Sequence, residues 1–192
     1  MLDFLQHLDE KMFLFLNGIN SPFFDPIMHW ISGNKSWLPL YLFLIFWMMY
    51  RQKLKGLWIL LFTVSLFALT DSTSVHFFKN VFERLRPCHN PDIMNMVHLV
   101  NGHCGGKYGF ISSHATSTFG MAVFLSLVFK ERWLSIMLLC WAPIVSYSRI
   151  YLGVHYPFDI LDGAAWGSIL AYGMYRLYEY LILRKDKKKI NP

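Results

Sequence analysis

The sequence predicts an all-α integral membrane protein, a helical bundle of five or six transmembrane helices preceded by interfacial helices at the N-terminus. Hydrophobic residues make up 55% of the 192 residues, and charged residues make up only 16%. The apolar runs are long rather than alternating, and Trp and Tyr cluster near their ends, as they do where helices meet a membrane surface. An ordinary soluble domain carries more charge than this.

Residues 1–35 are predicted to form interfacial helices that lie on the membrane. Within 3–16, Leu, Phe and Met recur at helical spacing, and the charged residues fall on the opposite face, a pattern typical of a helix in the interface plane. These charged residues are Asp3, Asp9, Glu10 and Lys11. The same acids argue against a cleavable signal peptide, which needs a basic start and an unbroken apolar stretch.

Five apolar segments approach the roughly 20 residues that a transmembrane helix needs. They are 36–50, 56–78, 113–130, 133–151 and 158–183. The basic stretches 51–55, 130–132 and 184–189 then lie on one side of the membrane, which the excess of Lys and Arg in cytoplasmic loops makes the inside. We therefore expect a single domain over 1–192, with a basic cytoplasmic tail at 184–192.

The net charge of +6 is explained by this orientation, and no nucleic-acid partner is expected. Cys88 and Cys104 lie in one loop on the opposite, outer side, where a disulfide, free thiols or a metal cluster with nearby histidines are all open. Several glycines in the same loop, including Gly109, favour a flexible loop that could act as a lid.

Basic residues follow the second predicted span in the stretch KNVFERLRP. Lys79 and Arg86 are seven residues apart, so both lie on one helix face if the helix continues that far. Arg84 falls off that face and is expected to meet water or headgroups. Asp71, inside the span, is expected to bond to local hydroxyls or to tune Lys79.

Two further polar segments reach the same outer face. FISSHATS places Ser112, Ser113 and His114 at a helix start, where free N–H groups and the helix dipole favour an anion. SRIYLGVHYPFD places Arg149 at the end of one span, and then His155 and Asp159 at the start of the next.

The four-residue spacing from His155 lets Asp159 reach back to Nδ1 of the imidazole, which leaves Nε2 free to act as a nucleophile or base. Together, the three segments describe a site for a dianionic phosphate with a nucleophile and an acid.

At these residues the sequence resembles the type 2 phosphatidic acid phosphatase family, whose motifs are K-x6-R-P, P-S-G-H and S-R-x5-H-x3-D. The first motif is met by Lys79 and Arg86-Pro87, and the third by Ser148-Arg149, His155 and Asp159. In the middle motif Ser112 and His114 are present. Ile111 and Ser113 stand where the family has Pro and Gly. The resemblance covers about 55–175, which would be the catalytic core.

The resemblance implies a role for each of these side chains. Lys79, Arg86 and Arg149 would bind the phosphoryl oxygens together with Ser112 and the N–H groups of Ser113 and His114. His155 would attack phosphorus to give a phosphohistidine, Asp159 would orient His155, and His114 would protonate the leaving oxygen. No metal or other cofactor is expected, because three fixed cations already neutralise the phosphate.

The resulting prediction is a membrane phosphatase that hydrolyses a lipid phosphate or diphosphate at the outer surface of a bacterial cytoplasmic membrane. Undecaprenyl diphosphate is the first expected substrate, and membrane lipids are the expected surroundings. Lipid A phosphate, phosphatidic acid and phosphatidylglycerol phosphate stay open, because the motifs recognise phosphate rather than the lipid. A lipid phosphotransferase and a non-catalytic lipid-binding or transport protein also stay open.

Overall fold

The structure is a computed structural model that describes residues 2–183. The predicted basic tail at 184–192 lies outside the described residues. The helices that carry the fold are α1 (Leu2–Gly18), α2 (Phe24–Ser32), α3 (Leu38–Gln52), α4 (Leu54–Thr73), α5 (Asn80–Phe82), α6 (Ser113–Phe129), α7 (Arg132–Tyr151) and α8 (Pro157–Tyr178). Within residues 2–183 there is no strand, only one isolated antiparallel bridge between Leu85 and Tyr108. The predicted all-α class is therefore confirmed.

Helices α3, α4, α6, α7 and α8 coincide with the five apolar segments predicted to span the membrane. Two helical stretches are long and apolar enough to cross a bilayer by length and composition, Leu54–Phe82 and Arg132–Tyr151, and α6 is a shorter apolar helix. The stretch Leu54–Phe82 is continuous because a π-helical segment, Ser74–Lys79, joins α4 to α5. The number of helices that cross the membrane stays a prediction.

Helix α6 lies at the centre of the bundle, between α4, α7 and α8. The approach of α8 to α6 depends on glycine: a Cβ on Gly167 would lie 2.1 Å from the carbonyl oxygen of Thr116, and one on Gly163 would lie 2.8 Å from that of Ser112. Only the absence of a side chain allows the two backbones to come this close. This contact fixes the start of α8 beside the start of α6.

One end of the bundle brings together the end of the α4–α5 stretch, the start of α6, the end of α7 and the start of α8. Helix α1 packs on α7 and α8, and α2 packs on α7. Asn17 ties α1 to this end, because its side-chain amide donates to the carbonyl oxygens of Ile150 and Tyr151 at 3.1 and 2.9 Å. The segment 83–112 connects α5 to α6 and carries the two cysteines.

Candidate active site

His155 and Asp159 form a buried pair in the turn between α7 and α8. Nδ1 of His155 lies 3.3 Å from Oδ2 of Asp159, and the two side chains are 2% and 0% exposed. The same Oδ2 accepts a hydrogen bond from the backbone N–H of Tyr156 at 3.0 Å. Pro157 begins α8, so Asp159 lies in its first turn and reaches back to a residue just before the helix. The spacing places the carboxylate on the imidazole as predicted.

Lys79 reaches the site at the end of the π-helical segment. Its Nζ donates to Oγ of Ser113 at 2.6 Å, and that hydroxyl also lies 2.6 Å from Oγ of Ser74. A π turn shifts the register of a helix, and such segments are frequent at functional sites. Here Ser74 and Lys79, the first and last residues of the segment, both contact Ser113.

Arg86 reaches the site in a different way from that predicted, because the helix does not continue to it. Helix α5 ends at Phe82, and Glu83 has a left-handed backbone with φ of 47°. Residues 84–86 then run extended against 107–109, with Arg86 N–H bonded to the Lys107 carbonyl at 3.1 Å. Side chains alternate along an extended segment, so Arg84 and Arg86 share a face. Pro87 favours the extended conformation of Arg86, since a residue before proline avoids the helical conformation.

Two glycines of the outer loop lie against Arg86. A Cβ on Gly105 would lie 2.9 Å from Nη1 of Arg86, and one on Gly109 would lie 3.1 Å from its Cγ and 3.2 Å from Oδ2 of Asp159. The same Cβ on Gly109 would lie 3.6 Å from Nδ1 of His155. Gly109, predicted to belong to a flexible loop, is therefore packed into the site.

A disulfide joins Cys88 to Cys104 beside the same arginine. The carbonyl oxygen of Cys104 accepts a hydrogen bond from Nη1 of Arg86 at 3.0 Å. Of the three open alternatives for these cysteines, the structure has the disulfide. A cluster of Cys88, His89 and Cys104 has the spacing of a metal site, but its two thiols are already joined to each other.

Arg149 lies in the last turn of α7 and contacts the end of α2. Its Nη1 donates to the hydroxyl of Ser32, and Nε is buried without a partner among the described residues. His114, at the start of α6, lies close to the backbone of Ser32. Helix α2 therefore touches two of the predicted site residues.

Ser112 caps α6 rather than pointing freely into the site. It is fully buried, its Oγ lies 3.4 Å from the N–H of Ala115, and its own N–H donates to the Asp159 carbonyl at 3.0 Å. The first N–H groups of an α-helix have no partner within the helix. Those of Ser113 and His114 therefore stand at the positive end of α6, where an anion is favoured.

Positive charge surrounds the imidazole of His155. Burial lowers the pKa of His155 well below its usual value, and the nearby charges of Arg86, Arg149 and Lys79 lower it further. All three cations therefore act on one ring, although they come from three different segments. A buried group of like charges is unfavourable unless an anion joins it, so the arrangement suits a phosphate.

Comparison with known proteins identifies the family. Residues 56–183 match the PAP2 superfamily. The chain belongs to the PAP2 superfamily. It is therefore a membrane lipid phosphatase, and the predictions of family, enzyme class and main activity are confirmed.

Several PAP2 relatives resemble the chain over most of its length. Lipid A 4'-phosphatases from Bacteroides thetaiotaomicron and Porphyromonas gingivalis are 36% and 35% identical to it, covering 96% and 93% of this chain and 83% and 76% of theirs. The crystal structure of a transmembrane PAP2 type phosphatidylglycerolphosphate phosphatase from Bacillus subtilis superimposes with a TM-score of 0.65 at 25% identity, covering 92% of this chain and 87% of that one.

A relative named for undecaprenyl diphosphate, the first predicted substrate, matches a shorter part of the chain. An undecaprenyl-diphosphatase from Sulfolobus acidocaldarius is 38% identical over 65 residues, which is 34% of this chain and 31% of that protein. The first expected substrate, undecaprenyl diphosphate, is therefore not confirmed. The relatives that match over most of the chain are lipid A 4'-phosphatases, and lipid A phosphate was one of the alternatives.

An apolar cavity of about 390 Å³ leads away from the PAP2 site into the bundle. Ser113 and His114 line its polar end, with Asp71 beside them, and Met48 and Leu60 line it deeper in the bundle. Helices α3, α4, α6 and α7 form its walls. Val64 and Phe67 line it too, and both are 58% exposed, so the cavity reaches the outer surface of α4.

The prediction from the sequence was wrong for two charged residues, Arg84 and Asp9. Arg84, expected to meet water or headgroups, bonds instead to Asp159 and Asp9. Asp9, expected on the polar face of an interfacial helix, is fully buried. Pro87 was a signal in the sequence that the helix does not continue to Arg86. No local pattern shows that α1 brings an acid to meet Arg84.

Proposed function

We propose that this phosphatase cleaves a lipid phosphomonoester through a phosphohistidine on His155. With Nδ1–H donating to Asp159, Nε2 carries the lone pair that attacks phosphorus. Lys79, Arg86 and Arg149 bind the phosphoryl oxygens, assisted by the N–H groups of Ser113 and His114 at the start of α6. Ser112, which was expected to join them, supports the site by capping that helix. The observation that carries this mechanism is the buried contact between His155 and Asp159 in the midst of three cations.

The reaction has two steps with balanced bonds. In the first, Nε2 forms a bond to phosphorus while the bond from phosphorus to the lipid oxygen breaks, and that oxygen takes a proton from His114. In the second, water attacks phosphorus, His114 takes a proton from the water, and the bond between phosphorus and His155 breaks. Inorganic phosphate leaves, and both histidines return to their starting states. No metal is required, because positive charge is supplied by side chains.

The proposed substrate is the 4'-phosphate of lipid A. The long matches to two lipid A 4'-phosphatases support this choice, since at 96% and 93% coverage they span the segment from Ser32 to Asp159 that forms the site. The 65 residues matched to the undecaprenyl-diphosphatase are fewer than the segment from Lys79 to Asp159 contains. The apolar cavity fits either lipid, because it would hold a hydrocarbon chain below a headgroup bound at His114.

A substrate panel tests the proposal. Purified protein in detergent is given lipid A, undecaprenyl diphosphate, phosphatidic acid and phosphatidylglycerol phosphate at equal concentration in the presence of a chelator, and phosphate release is measured. We expect the highest kcat/KM with lipid A, with mass spectrometry placing the loss at the 4'-position. A highest kcat/KM with undecaprenyl diphosphate would contradict the substrate while leaving the mechanism intact. His155→Gln is the inactive control.

The proposed site faces the outside of the cytoplasmic membrane, with the C-terminus in the cytoplasm. Basic loops on the opposite side of the bundle and a disulfide in the segment 83–112 support this orientation. A thiol reagent that cannot cross membranes should label Cys88 and Cys104 from outside intact cells after reduction. Labelling only from the cytoplasmic side would reverse the orientation. Cys140→Ser removes the remaining free thiol as a source of signal.

A further inference from the structure

Arg84 joins two buried carboxylates at the edge of the site. Its Nη1 donates to Oδ1 of Asp159 at 3.0 Å, and its Nη2 donates to Oδ2 of Asp9 at 2.7 Å. Both carboxylates are fully buried, whereas 24% of the Arg84 side chain is exposed. The planar, forked guanidinium can bond to two carboxylates in fixed directions, which an ammonium cannot do.

Both oxygens of Asp159 are therefore occupied, each by a different partner. Oδ2 faces His155 Nδ1 and the N–H of Tyr156, while Oδ1 is held by Arg84. Rotation of the carboxylate about its terminal bond would break the bond to Arg84. Arg84 thus fixes the plane of the carboxylate that orients the imidazole.

Asp9 links Arg84 to the start of α8. Its Oδ1 accepts a hydrogen bond from the N–H of Phe158 at 2.9 Å, and its Oδ2 binds Arg84. Phe158 directly precedes Asp159 in the first turn of α8. Asp9 comes from α1, which lies outside the part of the chain that matches the family, residues 56–183.

The surroundings of Arg84 also oppose its movement. The guanidinium carbon lies 4.0 Å from the ring centre of Tyr156, and the hydroxyl of that tyrosine accepts a hydrogen bond from Asn90 at 3.0 Å. Burial acts against the positive charge of Arg84, but Asp159 and Asp9 outweigh it and raise the pKa of the guanidinium. Arg84 therefore stays charged throughout the working pH range.

We propose that Arg84 and Asp9 are positioning residues for the phosphatase reaction, which hold the carboxylate of Asp159 against His155. Neither is assigned to the phosphate, because both Nη atoms of Arg84 are bonded to carboxylates. The inference rests on the proposed function, because it assigns the pair a role through His155 and Asp159. Without Arg84, two carboxylates face each other in a buried space, and Asp159 turns away or takes up a proton. Either change removes the acceptor that keeps Nδ1 protonated and Nε2 free.

The test uses whichever lipid phosphate the wild-type protein hydrolyses, so it does not depend on lipid A being the substrate. In Arg84→Ala we expect kcat to fall about 10- to 100-fold, by analogy with the loss seen when groups that orient metal-bound histidines are removed. We expect KM to stay within about threefold, since no phosphate contact is lost. Guanidinium added at a concentration that does not denature the protein should restore part of kcat. It should restore none in His155→Gln.

A second pair of variants separates positioning from folding. Asp9→Asn keeps the shape of the side chain, and we expect a loss of kcat of about tenfold with KM unchanged. The double variant Asp9→Asn with Arg84→Ala should lose no more than Arg84→Ala alone, because Asp9 acts through Arg84. If Arg84→Ala does not fold, judged by gel filtration in detergent, Asp9→Asn alone decides the outcome.

Three results would overturn the inference. The first is a kcat within about threefold of wild type in folded Arg84→Ala or in Asp9→Asn. The second is a loss of kcat in the double variant that equals the product of the losses in the two single variants. The third is a folded Arg84→Ala whose kcat guanidinium does not restore. The proposed function fails separately, if His155→Gln retains wild-type activity in the same assay.

Discussion

Nζ of Lys79 donates a 2.6 Å hydrogen bond to Oγ of Ser113, the residue that replaces glycine in the family motif. The serine hydroxyl therefore binds one of the three cations assigned to the phosphate, and Ser74 braces it from the other side at 2.6 Å. The departure from the motif adds a contact to the site rather than only removing a glycine.

Restoring the family residue is expected to weaken the enzyme. Ser113→Gly and Ser113→Ala both delete the hydroxyl, and a hydrogen bond to a charged group contributes about 1.5 kcal/mol or more, so kcat/KM should fall about tenfold. Steady-state kinetics of both variants check this, with Ser126→Ala, farther along α6, as the control. Activity equal to wild type in Ser113→Gly would show that the contact with Lys79 has no part in turnover.

The helices of the core could be predicted from the sequence, because each one corresponds to a single continuous apolar segment. Helices α3, α4, α6, α7 and α8 coincide with the five predicted segments, and the spacing of His155 and Asp159 was enough to predict their contact. The role of α1 could not be predicted in this way. Whether Asp9 meets water or Arg84 is decided by packing between segments 75 residues apart, which no local periodicity records.

The predicted path of the chain between Lys79 and Arg86, a continuous helix, was also wrong. Seven residues of continuous helix and a helix followed by an extended segment both bring the two cations together, so the spacing alone does not separate them. The left-handed Glu83 and the pairing of residues 84–86 with 107–109 decide in favour of the second. That pairing also turns Arg84 towards Asp159.

The pH dependence should reflect the neutral state of His155. An imidazole attacks phosphorus only when unprotonated, and burial together with Arg86, Arg149 and Lys79 lowers the pKa of His155 well below the usual value of about 6.5. Activity should therefore persist as the pH falls through 6.5. Arg86→Gln removes one of these charges and should raise the pKa of His155, so its acid limb should lie at higher pH.

The pH–rate profiles of wild type and Arg86→Gln are measured with the same substrate. Ionisation of the substrate phosphate then affects both profiles equally and does not contribute to the difference between them. Lys107→Gln serves as the control, because that exposed cation lies over the ring of Tyr108 rather than at His155. The pH–rate profiles of Arg86→Gln and wild type would superimpose after scaling if His155 did not sense these cations.

The disulfide between Cys88 and Cys104 should support both stability and activity. It closes a loop with a sequence separation of 16, for which the chain-entropy model gives about 3 kcal/mol. It also holds the Cys104 carbonyl against Arg86. Cys88→Ser with Cys104→Ser should lower both the Tm in detergent and kcat/KM, whereas Cys140→Ser should change neither. An unchanged Tm in the double variant would contradict this assignment.

The apolar cavity should affect long-chain substrates selectively. Val64 lines the cavity at the exposed surface of α4, so Val64→Trp would partly fill its mouth. We expect KM to rise for a long-chain lipid phosphate and to stay the same for a short-chain one. Leu61→Trp is a matched control, because Leu61 is 53% exposed on the same helix but does not line the cavity. Equal KM changes for both substrates, or the same change in Leu61→Trp, would exclude the cavity as the chain site.

Trapping the phosphorylated enzyme tests the proposed mechanism most directly. Wild-type protein and His155→Gln are mixed with lipid phosphate, quenched in alkali, where phosphohistidine survives, and digested for mass spectrometry. We predict phosphate on the peptide that contains His155 in wild type, and neither phosphopeptide nor phosphate release in His155→Gln. Phosphate on another residue, or turnover by His155→Gln, would contradict the proposal that His155 is the nucleophile.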